Sequence, residues 1–326
     1  RLIPGTIALG AFTFTMDALP GTPQIQNIIP TAFFKTNTWA APWLGLIGGL
    51  FILIVGMLYL EWRRRKAKNA GKGYGAGHIN EPDEITLNSV PNALLAVLPL
   101  LLVGVCNKLF TFYINKNYGV SFDFSALSIV GIAPVEVPKM AAIWAVEAAL
   151  VVGILAVLLL AFRRVKMNIK HQINISIGGA LLATLNTASE YGFGGVIAAL
   201  PGFKLLNESL SSTVKDPLAN EAITITTLAG ITGSASGGLS IALASMSETY
   251  LASAAKVGIT PDVLHRVASM ASGGMDTLPH NGAVITLLAI TGLTHRQSYG
   301  DIFAMTLIKT VAVAFVIGIY YSTGIV

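Results

Sequence analysis

The segment Met16-Asp17-Ala18-Leu19-Pro20-Gly21-Thr22 returns as Met275-Asp276-Thr277-Leu278-Pro279-His280-Asn281. Each copy is a charged, proline-containing break inside apolar sequence. Each is followed, about 20 to 30 residues on, by an apolar run of membrane length. Proline lacks a backbone donor and clashes with the preceding turn, so neither stretch can continue as an uninterrupted helix. A duplicated helix break of this kind, in a chain this hydrophobic, points to a secondary transporter with its binding site near the bilayer midplane.

The chain is 53% hydrophobic and only 11% charged over 326 residues, against about 25% charged in soluble domains. That composition indicates a polytopic membrane protein rather than two soluble domains. The net charge of +5 is concentrated in Arg63-Arg64-Arg65-Lys66, Lys68 and Lys72, and in Arg163-Arg164, Lys166 and Lys170. Both clusters directly follow apolar runs. They therefore read as cytoplasmic topology signals and not as a nucleic-acid surface. The single Cys106 excludes an intramolecular disulfide and a cysteine-based metal cluster. The first break has fifteen residues ahead of it and the second a long run of membrane segments. If the halves are built alike, the chain is expected to lack roughly 100 residues or more at its N-terminus.

The expected fold is all-α and polytopic, with inverted repeats, broken helices and a re-entrant hairpin. Residues 1–62 form the remainder of a first repeat, a broken segment over 5–34 and a span at Trp43–Leu60. Residues 63–90, rich in glycine and charge, form a cytoplasmic linker. Residues 91–326 form the second repeat. Its spans are Asn92–Phe112, Ala141–Phe162 and Tyr299–Tyr321, together with an apolar stretch at Ile173–Leu200 interrupted at 186–195. Residues 218–251 are too long for one crossing and carry Gly233-Ser234-Ala235-Ser236-Gly237-Gly238 at their centre, which predicts a re-entrant hairpin. A second broken helix follows at about 263–289. Counting crossings places the ends of the spans at 43–60 and 299–321 on opposite sides of the bilayer, provided the hairpin does not cross.

A broken helix exposes backbone N–H groups at one half and carbonyls at the other, and the N–H end attracts anions. Thr22, Gln24, Gln26, Asn27, Ser234, Ser236, Ser272 and Asn281 would add groups that recognise hydroxyls. Gly237 and Gly273 would let backbone approach a ligand, although glycine and serine also serve simply to pack membrane helices. Asp17 and Asp276 read equally as N-caps and as titrating carboxylates. His280 and Glu190 are further proton candidates. Lys309, inside the last span, either snorkels or pairs with a carboxylate. His265, Arg266, His295 and Arg296 read as segment-end residues. No metalloprotease, P-loop, dinucleotide or nucleophile-elbow motif occurs, so an enzyme is not indicated, and neither is a metal or cofactor.

The run from Leu9 to Asn27, Ser189-Glu190-Tyr191-Gly192-Phe193-Gly194-Gly195-Val196-Ile197, the tip Gly233–Gly238 and Ala271–Gly282 together resemble the gluconate permease family of proton symporters. The likeness covers nearly the whole chain and is closer to the branch that includes hydroxybutyrate carriers. It implies a multi-pass protein of the bacterial inner membrane, within the ion-transporter superfamily. It further implies inverted repeats, two hairpins, an elevator-type transport domain and a homodimeric scaffold. The family's first hairpin would precede residue 1. On this resemblance the tip at 233–238 and the breaks at 17–27 and 272–282 form the site. The expected activity is proton-coupled symport of a small hydroxylated carboxylate such as gluconate or 3-hydroxybutyrate, with sodium coupling or an anion channel as alternatives.

Overall fold

The computed structural model describes residues 2–11, 18–72, 92–127, 134–202 and 213–326, with positions 205 and 209. The apolar runs are helical, because a helix satisfies its own backbone polar groups where lipid cannot. Two compact units result, one of residues 1–36, 40–83 and 189–326 and the other of residues 37–39 and 84–188.

In the first unit, α1 (Ile3–Ala11) and α2 (Ile25–Phe34) flank the first break, and α3 (Pro42–Asn69) follows it. Later come α7 (Pro217–Thr232), α8 (Ala235–Lys256), α9 (Pro261–Ser272), α10 (Gly282–Thr291) and α11 (His295–Thr323). The spans expected at 43–60 and 299–321 are the cores of α3 and α11, and both are apolar and long enough to cross a bilayer. The basic residues Arg63 to Lys68 continue α3 instead of starting a loop; Glu61 steadies them through ion pairs to Arg64 and Arg65, each at 2.7 Å.

The direction of α11 along α3 is fixed by contacts at both ends. Near its start, Asp301 accepts from Tyr59 (2.8 Å) and from Arg63 (2.6 and 3.2 Å). Near its end, the Phe315 ring stacks on Phe51 at 4.5 Å between centroids. The two helices are thus antiparallel. Gly45 on α3 lets the first break lie close: a Cβ there would sit 2.4 Å from the Ala18 carbonyl oxygen.

The hairpin expected at 218–251 is α7 and α8, joined by a two-residue turn at Gly233-Ser234. Gly233 takes φ +67°, the left-handed conformation that ends a helix at low steric cost. The arms touch so closely that a Cβ on Gly238 would come 2.3 Å from the Ala229 nitrogen.

In the second unit, α4 (Ala93–Asn117) and α5 (Val137–Leu160) pack along one another. A short ribbon, β1 (Ser121–Phe122) against β2 (Val135–Glu136), closes their connection. Phe122 and Phe124 meet Trp144 edge-on there. Outward leucines such as Leu94, Leu100 and Leu159 are more than two-thirds exposed. Such a surface is suited to lipid.

The expected interruption of the segment at 173–200 is not observed. The stretch at 186–195 does not interrupt its helix: α6 is continuous from Phe162 to Ala199, 38 residues. A glycine weakens a helix by about 1 kcal/mol but keeps its hydrogen bonds, and this stretch has no proline. At about 57 Å, α6 exceeds the hydrocarbon thickness of a bilayer. Residues 73–91, which take in most of the linker expected at 63–90, and residues 12–17, including Asp17, lie outside the described residues.

Candidate functional site

The second break begins where α9 runs into Gly273-Gly274 and ends where Asn281 starts α10. Between them residues 273–281 are non-helical. Helix α11 holds this loop from one side. Tyr299 donates to the Thr277 carbonyl (3.1 Å) and Thr310 to the Gly274 carbonyl (3.0 Å). The Thr277 and Thr306 hydroxyls share a hydrogen bond. Lys309 forms an ion pair with Asp276 at 2.5 Å, with both side chains buried. Of the two readings for Lys309, pairing with a carboxylate is the one observed.

The hairpin tip holds the loop from the other side. A helix C-terminus leaves carbonyls without intrahelical partners. Here the open carbonyls of α7 are met by the loop: His280 Nε2 donates to Gly230 (3.0 Å), and Asn281 Nδ2 donates to Gly233. Thr226 on α7 donates in return to the Ala271 carbonyl, at 3.0 Å. The two following helix starts are capped. Ser234 Oγ accepts from Gly237 N (3.1 Å) and lies 3.3 Å from Ser236 Oγ. Asn281 Oδ1 accepts from Ala283 N (2.7 Å) and Val284 N (3.0 Å). Since Gly233 precedes Ser234 and is bonded to Asn281, the N-terminal ends of α8 and α10 meet at one place. Each carries partial positive charge.

The first break forms a second cluster. Thr22 Oγ1 donates to the Leu19 carbonyl (3.1 Å), and Asn27 Nδ2 donates to the Thr22 carbonyl (3.0 Å). Arg266 on α9 is fully buried. Its guanidinium donates to the carbonyls of Ala18 (3.1 Å) and Ala40 (2.7 and 3.1 Å) and to Asn27 Oδ1 (3.2 Å). Beside it, His265 Nε2 lies 3.3 Å from Asn27 Oδ1 and Nδ1 lies 2.6 Å from Thr36 Oγ1. One neutral tautomer fits both contacts, with Nε2 donating and Nδ1 accepting.

The residues singled out from the sequence therefore fall into two groups. Ser234, Ser236, Gly237, His280 and Asn281 gather at the tip, with Ser272 and Gly273 at the end of α9 leading into that loop. Ser272 is buried, its hydroxyl donating to the Ser269 carbonyl at 2.7 Å. Thr22 and Asn27 gather around Arg266, with Gln24 at the N-cap position of α2 and without a side-chain capping bond there. Helix α9 contributes to both groups, with Ser272 six positions after Arg266. Asp276 is in the loop but engaged with Lys309. Glu190 lies on the continuous α6, and its side chain lies outside the described residues. Arg266 and His265, read from the sequence as segment-end residues, are instead the tie between the first break and α9. Only the strong amphipathic pattern of that short helix could have flagged them. In the second unit, a cavity of about 510 Å³ is walled by Trp39, Lys108, Thr111, Asn115 and Lys116 among others. None of the residues singled out above lines it.

Comparison with known proteins gives one informative likeness. The chain is 60% identical over 334 aligned positions to the uncharacterized transporter YxjC of Bacillus subtilis (strain 168). The alignment takes in 100% of this chain and 71% of that protein. No family model matches the chain, and no solved structure does.

Proposed function

The chain belongs to the transporter family of Bacillus subtilis YxjC, and from that premise we propose that it is a proton-coupled symporter for small hydroxylated carboxylates of the gluconate or 3-hydroxybutyrate type. The observation that carries this reading is the meeting of the α8 and α10 N-termini at the Gly233–Asn281 contact. Two converging helix starts can hold a carboxylate without lysine or arginine. Ser234, Ser236, Ser272 and Asn281 then offer partners to the substrate's hydroxyls, and Gly237 and Gly273 let backbone N–H groups come close. In the opposed cluster, Thr22, Gln24 and Asn27 supply further polar groups.

Coupling follows from charge. A carboxylate moving through lipid-enclosed protein is easier to carry with a proton than alone. His280 is exposed beside the tip and is one acceptor for that proton; Asp276 is another if Lys309 releases it. Asp17 and Glu190 are further candidates. The antiparallel course of α3 and α11 supports an inverted arrangement of the two broken helices, which is what lets a carrier alternate its access.

The test is uptake by the full-length protein in liposomes, over a panel of hydroxy acids, with pH and sodium gradients imposed separately. Accumulation driven by the pH gradient alone is expected. Accumulation that needs sodium would replace the proton in this scheme. Absence of trans-acceleration by unlabelled substrate would make the protein a channel. Replacing Ser234 and Ser236 together by Ala should abolish uptake with membrane insertion intact; unchanged uptake would remove the tip from the site.

A further inference from the structure

Glu221 lies in the second turn of α7 and is completely buried. Neither of its carboxylate oxygens has a hydrogen-bond partner. One turn on, Thr224 is equally buried; its hydroxyl faces the Tyr250 phenol without a well-formed hydrogen bond. Residues three apart share a helix face, so both belong to one buried polar patch on α7. Across from it on α8, Tyr250 is 1% exposed and interacts electrostatically with Glu221.

No cation balances this carboxyl among the described residues. On α9, His265 and Arg266 are turned to the first break. On α11, Lys309 holds Asp276, while Asp301 is held by Arg63 from α3. Tyr321 is bonded to Asp216, the N-cap of α7. That leaves the neutral phenol of Tyr250 as the titratable group beside Glu221. An ionised carboxylate in such a place forfeits its hydration with nothing in exchange. A protonated carboxyl does not, and it can donate its own O–H as well.

The geometry points to Glu221 as a proton-binding site of the transport cycle. Its carboxyl keeps a proton while the arms of the hairpin are closed on it, and releases the proton when water reaches the base of the hairpin. On release the O–H bond breaks, the electron pair stays on the carboxylate and the proton passes to water. Position suits the task. Asp216, at the start of α7, lies beside the half-exposed Tyr321, and Glu221 is five residues in, about 8 Å along the axis. The tip at Gly233 is about 18 Å further on. Proton and substrate would occupy opposite ends of one hairpin, coupled by its movement. That coupling rests on the symport reading above; the proton site itself does not.

Two measurements on the full-length protein in liposomes decide between these levels. A hydrophobic carbodiimide attacks protonated carboxyls in apolar surroundings. Mass spectrometry should find it on Glu221 of the unaltered protein, with labelling that declines as pH rises. In parallel, Glu221→Gln should remove an infrared C=O band of a protonated, weakly hydrogen-bonded acid. An unlabelled Glu221, or an infrared spectrum that Glu221→Gln leaves unchanged, overturns the proton site. For coupling, Glu221→Gln should keep counterflow of 3-hydroxybutyrate or gluconate but lose accumulation driven by a pH gradient. Undiminished accumulation overturns the coupling role. If the unaltered protein accumulates neither acid, the symport reading fails while the labelling still decides the site.

Discussion

At the scale of single residues, the consequential fact is that buried charge is spent on holding the broken segments in place. Arg266 reaches one carbonyl within the first break, at Ala18, and one in the connection from α2 to α3, at Ala40. Replacing it with Ala strands those acceptors, at about 1 to 3 kcal/mol for each one left unsatisfied, and opens a cavity besides. Thermal unfolding in detergent should show it. Arg266→Lys should recover little, since a single ammonium lacks the guanidinium's fork of donors. Asp276 and Lys309 allow a cleaner test. Asp276→Asn or Lys309→Met alone leaves an uncompensated buried charge, costing about 3 to 5 kcal/mol, whereas the double change should cost much less than the sum. Additive losses would show that the pair is not coupled. At this scale the sequence was only partly legible. That Lys309 either snorkels or pairs was readable from its place in an apolar run; which of the two, and with what partner, was not, because thirty-three positions separate it from Asp276. Glu221 gave no signal at all, since a glutamate near a helix start looks like one more solvated side chain.

Among elements, the hairpin and the second break behave as one interlocked piece. Gly238 sits against the Ala229 backbone, so Gly238→Val must push the arms apart and should cost about 1 to 3 kcal/mol, read as a lower unfolding temperature. A variant of unchanged stability would mean that the arms are not in contact there. Asn281→Ala removes the cap of α10 and the donor to Gly233 together. The cap alone is worth about 1 kcal/mol. The second break was legible because Pro279 withholds a backbone donor, yet Pro30 and Pro99 lie inside α2 and α4, so proline alone does not end a helix. The stretch at 186–195 was misplaced because glycine and polar residues only lower a preference, and the helix on either side prevails. The tie from α9 to the first break escaped for a different cause: it is a tertiary contact between segments more than two hundred residues apart.

For the whole molecule, the governing relation is the opposed course of α3 and α11, anchored by Arg63 to Asp301 at one end and by Phe51 to Phe315 at the other. In a background with Cys106 replaced by Ser, single cysteines at Ala70 and Thr323 should react with a membrane-impermeant maleimide from opposite faces of the vesicle. Reaction from the same face would end the case for inverted repeats. The repeated break in the sequence foretold this relation through the counting of crossings, although that count needed the hairpin to turn back, which α7 and α8 do.

The capped helix starts at Ser234 and Asn281 have a last implication. They mean that the N–H groups at the proposed anion site are already bonded to the protein's own oxygens. An arriving carboxylate would have to displace these internal surrogates, so its net gain is only the difference between two sets of similar bonds. Modest affinity and prompt unloading follow, and those are the properties a shuttle needs if it is to let go of its cargo on the far side.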